Sequence, residues 1–230
     1  MSSPYVSCIM PTANRPNFVA LAADYFLNQD FRDVELVIID DGKESVRSVL
    51  PDHHRIKYFY TDPIGTIGKK RNYACERASG EIIMHWDDDD WYGHEWISKQ
   101  VTALTQSHAD ICGLNQILFF SPLVNKFWNY ANKDQERPWL AGATMAYRKS
   151  FWQDHPFKDI QIGEDYDYIW NTGAKIYAHD YTDGFIATLH AGNTTLKPFE
   201  KPNHKKHAIS WMDVKYEGKT ENPEKSRYNY

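Results

Sequence analysis

The chain has 230 residues, 42% hydrophobic and 25% charged, which is enough for one substantial core and ordinary for a globular domain. Its formal net charge of −5 excludes broad nucleic-acid binding, which needs an excess of Lys and Arg. No apolar run reaches the roughly 20 residues of a membrane span, and Met1-Ser2-Ser3-Pro4 lacks the order of a secretion signal. Cys8, Cys75 and Cys112 are too scattered for a disulfide framework or a zinc knuckle, so buried free thiols in a cytoplasmic protein are expected.

Tyr5 to Met10 reads as a short buried strand stopped by Pro11, followed by a polar turn and a helix from Asn17 to Gln29. Val34 to Ile39 is a second apolar run, continuous enough for a strand covered on both faces, and ends in Asp40-Asp41-Gly42. A short helix through Val46 and Leu50 precedes a third strand, Arg55 to Tyr60. Asn72 to Ala78 is helix-like with Gly80 as its stop, and the fourth strand, Glu81 to Trp86, runs straight into Asp87-Asp88-Asp89-Asp90. A helix from His94 to Gln106 and a strand from Ala109 to Asn115 complete the alternation. Such alternation predicts an α/β fold with a parallel sheet, whose sites lie beyond the carboxyl ends of the strands, where Thr12, Asp40, Asp41 and Asp87 to Asp90 fall.

The second half is less regular: strands are expected over Ile117 to Trp128 and Ala141 to Tyr147, and a short helix over Asp165 to Asn171. From Lys197 onward basic residues outnumber acidic ones, which fits a solvated tail, a loosely packed helix or a peripheral membrane contact.

Four adjacent carboxylates repel one another, and a hard divalent cation such as Mn²⁺ or Mg²⁺ relieves that cost. A solvated acidic turn is the plain alternative, but the run closes a strand between Trp86 and Trp91. It is not an EF-hand, because Trp91 and Tyr92 stand where a ligand and a glycine belong. In Gly163-Glu164-Asp165-Tyr166-Asp167 a carboxylate at a helix start could act as general base, or simply complement the helix N-terminus. His190 becomes a metal ligand only if the fold brings it to the acidic run. Gly65 to Arg71 fails the spacing of a phosphate loop, since Pro63 and Lys70 take the required Gly and Ser/Thr places. Lys69, Lys70 and Arg71 can still meet phosphate charge or form a solvated turn.

Taken in order, these pieces resemble family 2 glycosyltransferases. Val6 to Pro16 is similar to the family's opening strand and turn, and Val37 to Gly42 to its second strand. Lys70-Arg71-Asn72 and Ala78 to Ile83 precede the Asp-rich motif, and Gly142 to Met145, Gly163 to Asp165 and His190 to Thr194 resemble later segments. The resemblance runs from about residue 5 to residue 195. It implies a GT-A fold: a Rossmann-like, mostly parallel sheet flanked by helices, with a small mixed acceptor-side region. The expected division is a domain over 1–196, with a nucleotide-binding half over 1–116 and an acceptor-side half over 117–196, then a basic tail over 197–230.

The resemblance further implies metal-dependent, inverting transfer from a nucleotide-sugar donor, commonly a UDP-sugar, to a glycan or other hydroxyl acceptor in polysaccharide or cell-envelope synthesis. Residue by residue, Thr12 and Asp41 would lie against the base, and Asp87 and Asp88 near the ribose and diphosphate. Pro11, Asn14, Arg15, Lys70 and Asn72 complete the donor set. Asp89 would bind metal with His190 as a further ligand, and Asp165 would be the base with Glu164 as its neighbour. Four consecutive Asp residues replace the usual Asp-x-Asp, which leaves the assignment among them open. Trp139 and Trp152 line the acceptor site or belong to the core. A sugar nucleotidyltransferase and an inactive binding module with the same fold are the alternatives; the turn from Pro11 to Pro16 lacks the glycines expected of the former.

Overall fold

The computed structural model describes residues 4–132 and 139–193, and the backbone of 209–214. Strands β1 (Val6–Thr12), β2 (Val34–Asp40), β3 (Ile56–Tyr60) and β4 (Ile82–His85) are parallel neighbours in the order β4-β1-β2-β3. The chain builds outward from β1 to β3, then crosses back to place β4 on the other side of β1. That reversal is a topological switch point, and ligand sites of open α/β sheets lie there.

Helices α1 (Pro16–Leu27) and α2 (Ile67–Arg77) make two of the crossovers, and α3 (Trp96–Ser107) follows the two-residue strand β5 (Trp91–Tyr92). Side chains alternate across β1 as a strand requires: Val6, Cys8 and Met10 pack with α1 and α3, while Ile9 packs with α2 on the opposite face. All seven residues of β2 are buried, which explains why its run is mostly apolar, and the buried Glu35 is satisfied by the Ser7 hydroxyl and the Ser79 N–H.

Two boundaries move for physical reasons. β1 continues through Pro11 to Thr12, because β4 pairs only with Val6 to Ile9 and the missing N–H faces no strand. α2 begins at Ile67, well ahead of Asn72, because Thr66 caps it by accepting from the Lys69 N–H at 3.3 Å. The helix expected through Val46 and Leu50 is a single 3₁₀ turn, Arg47–Val49.

β6 (Ile111–Gly113) is short, and the segment from Ile117 to Trp128 is a hairpin rather than one strand. β7 (Gln116–Ser121) and β8 (Lys126–Asn132) pair antiparallel, with Asn125 at φ 52° in the turn, a conformation Asn tolerates. β9 (Ala146–Arg148), α4 (Lys149–Asp154), α5 (Glu164–Asn171), β10 (Ile176–Ala178) and β11 (Phe185–Thr188) follow. β9 and β10 return to the first sheet, giving the order β10-β6-β9-β4-β1-β2-β3. The second sheet runs β12-β8-β7-β11-β5, with β12 spanning Ile209–Val214.

The halves expected on either side of residue 116 therefore interleave, since β5 sits in the second sheet and β9 and β10 in the first. Six residues of the expected solvated tail instead add an edge strand, pairing from Ile209↔Asn132 to Val214↔Phe127; the rest of 197–230 lies outside the described residues. The three cysteines are buried and unbridged. Among the described residues no helix is long and apolar enough to cross a membrane.

Candidate active site

β4 ends in the four aspartates, and the fold gives each a different environment. Asp87 is the most open of the four to the cleft and lies 3.7 Å from the Arg71 guanidinium. Asp88 is buried: the Thr12 hydroxyl donates to its Oδ2 at 2.5 Å, and Arg15 Nη1 to its Oδ1 at 2.9 Å. Burial, then the neighbouring Asp89 charge, pushes Asp88 up to about 6 against the pull of Arg15. Asp90 turns inward, with Oδ1 accepting from the Thr188 N–H at 2.9 Å, and burial holds its carboxyl well above the usual range. It joins the acidic run to β11.

Asp89 is the meeting point. Its Oδ2 lies 3.0 Å from Arg15 Nη1, 2.9 Å from His190 Nε2 and 3.3 Å from Asn193 Nδ2. β5 follows the acidic run immediately and pairs with β11 through Phe185↔Tyr92 and Ile186↔Trp91. β11 leads two residues later into His190, so this pairing closes a separation of 101 residues.

The donor chemistry of Asp89 and His190, one carboxylate oxygen and one imidazole nitrogen, suits Mn²⁺ or Mg²⁺. Their 2.9 Å separation matches adjacent ligands of a six-coordinate ion, which lie about 3 Å apart for bonds near 2.1 Å. Among the described residues no group of three or more His, Cys, Asp or Glu converges on one point, so phosphate oxygens and water would complete such a shell. His190 Nδ1 accepts from the Gly192 N–H at 3.1 Å, so without an ion Nε2 donates to Asp89; to ligate an ion through Nε2 the ring would have to move that proton to Nδ1 and the Gly192 N–H would have to turn away.

Across the cleft, Gly163 enters α5 at φ 86° and sets Glu164 and Asp165 at the helix start. Glu164 is buried and pairs with Arg71, which also faces Asp87. Burial raises the Glu164 carboxyl despite that partner, and its place under the wall makes it an anchor for α5. Asp165 lines the cleft together with Pro11, Arg15 and all four aspartates. Its Oδ1 accepts from the Tyr166 N–H at 2.8 Å, and its side chain packs on Gly142 so closely that a Cβ there would lie 2.3 Å from Oδ2. Gly142 is held from below: the buried His85 donates from Nδ1 to its carbonyl at 2.6 Å, and Tyr147 Oη lies 3.3 Å from His85 Nε2. Phe119, Tyr130, Trp139 and Tyr166 form the aromatic part of the same cleft.

A second cleft opens at the ends of β2 and β3, lined by Asn14, Asp41, Gly42, Lys43 and Tyr60 to Pro63. Its volume of about 840 Å³ lies within the roughly 300–1,000 Å³ of small-molecule sites. Lys70 Nζ sits 2.5 Å from Asp41 Oδ1, and Asp41 Oδ2 accepts from the Ile64 N–H at 3.1 Å. Asn14, at φ 59°, shapes the rim by accepting from the Lys43 N–H at 2.8 Å. Tyr60 is 49% exposed, yet its hydroxyl is tied to the Lys43 carbonyl at 3.0 Å.

Two donor-set expectations change. Thr12 is buried and spends its hydroxyl on Asp88, so it supports that aspartate instead of facing a base. Asn72 lies in neither cleft: Nδ2 donates to the Phe157 carbonyl, and Oδ1 accepts from Trp152 Nε1 and the Phe157 N–H. It ties α2 to α4, and Trp152 belongs to the core. The basic run is likewise not a solvated turn, since Lys69, Lys70 and Arg71 reach Asp159, Asp41 and Glu164 in turn.

The family model described as glycosyl transferase family 2 matches residues 7–159, about two thirds of the chain. The chain belongs to this family. An uncharacterized family relative from Haemophilus influenzae is 30% identical over 113 residues, covering 47% of this chain and 45% of that one. The GalNAc(5)-diNAcBac-PP-undecaprenol beta-1,3-glucosyltransferase of Campylobacter jejuni is 36% identical over 110 residues, covering 45% of this chain and 34% of that one. The chain thus spans less than half the length of these two relatives.

Two solved glycosyltransferase structures share the fold. The mannosyltransferase PcManGT of Pyrobaculum calidifontis, in complex with GDP-Man and Mn²⁺, superposes with a TM-score of 0.66 at 17% identity, over 84% of this chain and 59% of that one. S. aureus TarS in complex with UDP-GlcNAc gives 0.62 at 19% identity, over 83% and 60%. The family 2 architecture of this chain is accordingly the GT-A fold.

Proposed function

We propose that the chain transfers a sugar from a nucleoside diphosphate, a UDP-sugar, to a hydroxyl of a glycan acceptor, by single displacement with inversion and with Mn²⁺ or Mg²⁺ at the diphosphate. The observation that carries this reading is one cleft lined by both the acidic end of β4 and the Asp165 carboxylate. Inversion needs a base on the acceptor side of the anomeric carbon and a stabilised leaving group on the far side.

Asp165 accepts the proton of the acceptor hydroxyl as it attacks, and Gly142 and the Tyr166 amide fix its carboxylate for that step. Asp89 and His190 would hold the metal, which when bound stabilises charge building on the departing diphosphate. In the second cleft the Asp41 carboxylate, paired with Lys70, offers an acceptor for the ring N–H of a keto base, and the anchored Tyr60 ring offers its face. The aromatic side of the first cleft suits the C–H face of an acceptor sugar. A setting in glycan assembly is supported by the undecaprenol-linked glycan in the name of the Campylobacter relative.

A thermal-shift comparison of UDP, GDP and dTDP, each with and without Mn²⁺, tests this reading, because a ligand specific to the native state raises its apparent stability. Metal-dependent stabilisation by UDP above the others is expected. No shift with any nucleotide at millimolar concentration would overturn it.

A further inference from the structure

Arg15 does more in this site than offer positive charge. Its Nη1 lies 2.9 Å from Asp88 Oδ1 and 3.0 Å from Asp89 Oδ2, and its Nη2 donates to the Gly192 carbonyl. One guanidinium therefore ties the turn after β1 to the acidic end of β4 and to the turn that carries His190. A lysine ammonium has no planar fork and cannot span such a set in the same way.

The oxygen it holds, Asp89 Oδ2, is also the one that faces His190 Nε2 and Asn193 Nδ2. Three donors thus converge on one carboxylate oxygen. A divalent ion bonded to that oxygen at about 2.1 Å would enter the shell where the Arg15 nitrogen sits, cation against cation. Arg15 and the ion would therefore compete for Asp89 Oδ2, and repulsion between the two cations favours release of Arg15. The separate bond to Asp88 Oδ1 lets Arg15 release Asp89 without leaving the cleft that it lines. A guanidinium freed there is a good ligand for phosphate oxygens.

We propose that Arg15 is an exchangeable counter-cation: it neutralises Asp88 and Asp89 while the cleft is empty, then passes from Asp89 to the diphosphate as the metal and donor enter. This rests on the donor reading above and adds an order to it, in which metal binds poorly alone and well with the nucleotide. Arg15 becomes a positioning residue for the acidic run in one state and a diphosphate ligand in the other.

The test measures Mn²⁺ binding directly, by the loss of the free-ion electron paramagnetic resonance signal, with and without UDP. The full chain is compared with Arg15→Gln and His190→Ala. Arg15→Gln is expected to bind Mn²⁺ alone about tenfold more tightly than the wild type and to lose most of the gain that UDP confers. His190→Ala is expected to lose Mn²⁺ binding in both conditions, which locates the ion. If the wild type takes up Mn²⁺ with UDP while a folded Arg15→Gln binds Mn²⁺ alone no better than the wild type, the exchange is overturned and the donor reading stands. If the wild type takes up no Mn²⁺ even with UDP, the donor reading itself falls. Arg15→Lys supplies the same comparison where Arg15→Gln does not fold, with a smaller gain expected because its charge is retained.

Discussion

The carboxylates that the proposed function sets at the donor and the Asp165 carboxylate that it sets at the acceptor are held by different means. Asp41 is answered by Lys70, Asp88 by Thr12 and Arg15, and Asp89 by Arg15 and His190, each a side chain from another element, whereas Asp90 turns inward onto the Thr188 amide. On the acceptor side Asp165 is fixed by a backbone amide and by contact with Gly142. The difference matches two tasks. In the proposed reaction the donor-side carboxylates would stay compact without ligand yet exchange partners when it arrives, whereas the base would keep its lone pairs directed at the acceptor. Arg71 is the tie between the walls, reaching Asp87 on one and Glu164 on the other.

The sharpest way to break this comparison is Asp165→Asn. Transfer is expected to fall by about 10²–10⁴-fold while UDP affinity, measured by calorimetry, stays at the wild-type value. Unchanged turnover would remove Asp165 from the base role, and lost UDP binding would mean that the two walls are not separable. Arg71→Ala tests the tie. Arg71 and Glu164 are both almost fully buried, and removing one partner of a buried pair costs roughly 3–5 kcal/mol, so a large drop in urea or thermal midpoint is expected. A drop under about 1 kcal/mol, the scale of a surface pair, would show that the walls hold together by packing alone.

Tyr60→Ala probes the second cleft. Base–aromatic stacking contributes about 1–3 kcal/mol in single-strand binding, so UDP affinity should weaken about tenfold, with Tyr60→Phe close to wild type. Equal affinities for all three proteins would remove the ring from the base site.

A pH-dependent effect on stability alone is expected at His179, where the end of β10 meets α3. Burial pulls its imidazole down to about 4, with Asp180 opposing, and Trp96 lies against the ring at 5.9 Å. The unfolded chain gains this proton near the ordinary value of 6.5, while the folded chain gains it only near 4. The unfolded state therefore binds more protons between those values, and stability is lost as pH falls from 6.5 to 4, by at most roughly 3 kcal/mol. His179→Phe should flatten that part of the stability profile relative to wild type. Parallel profiles would show that His179 does not contribute.

Much of the donor wall was legible in the chain because its signals are local. The apolar run of β2 with Asp40-Asp41-Gly42 after it, and the apolar β4 with its four aspartates, each read as a strand whose end carries acidic groups. Parallel pairing then put those ends on either side of the end of β1. Sequence order could not tell Asp88 from Asp89 or Asp90, because their partners Thr12, His190 and Thr188 come from elements 76, 101 and 98 residues away. Asn72 shows the reverse limit: it stands within a donor-side motif, yet the packing of α2 against α4 takes its amide into the interior. His85 gave no signal, and Gly142 none beyond its place in a family-like segment, since a close approach and a buried hydrogen bond exist only once β4 and β9 are paired.

Periodicity, strand-end carboxylates and their order along the chain thus determined the α/β class and the acidic strand ends, because alternation and charge repulsion act between near neighbours in sequence. Tertiary structure alone decided which carboxylate meets Arg15 and His190, which one is buried on Thr188 and how Asp165 comes to face them. Those outcomes depend on the β5–β11 pairing and on the contact of α5 with the Gly142 turn, and long-range pairing has no signature in any short window of sequence.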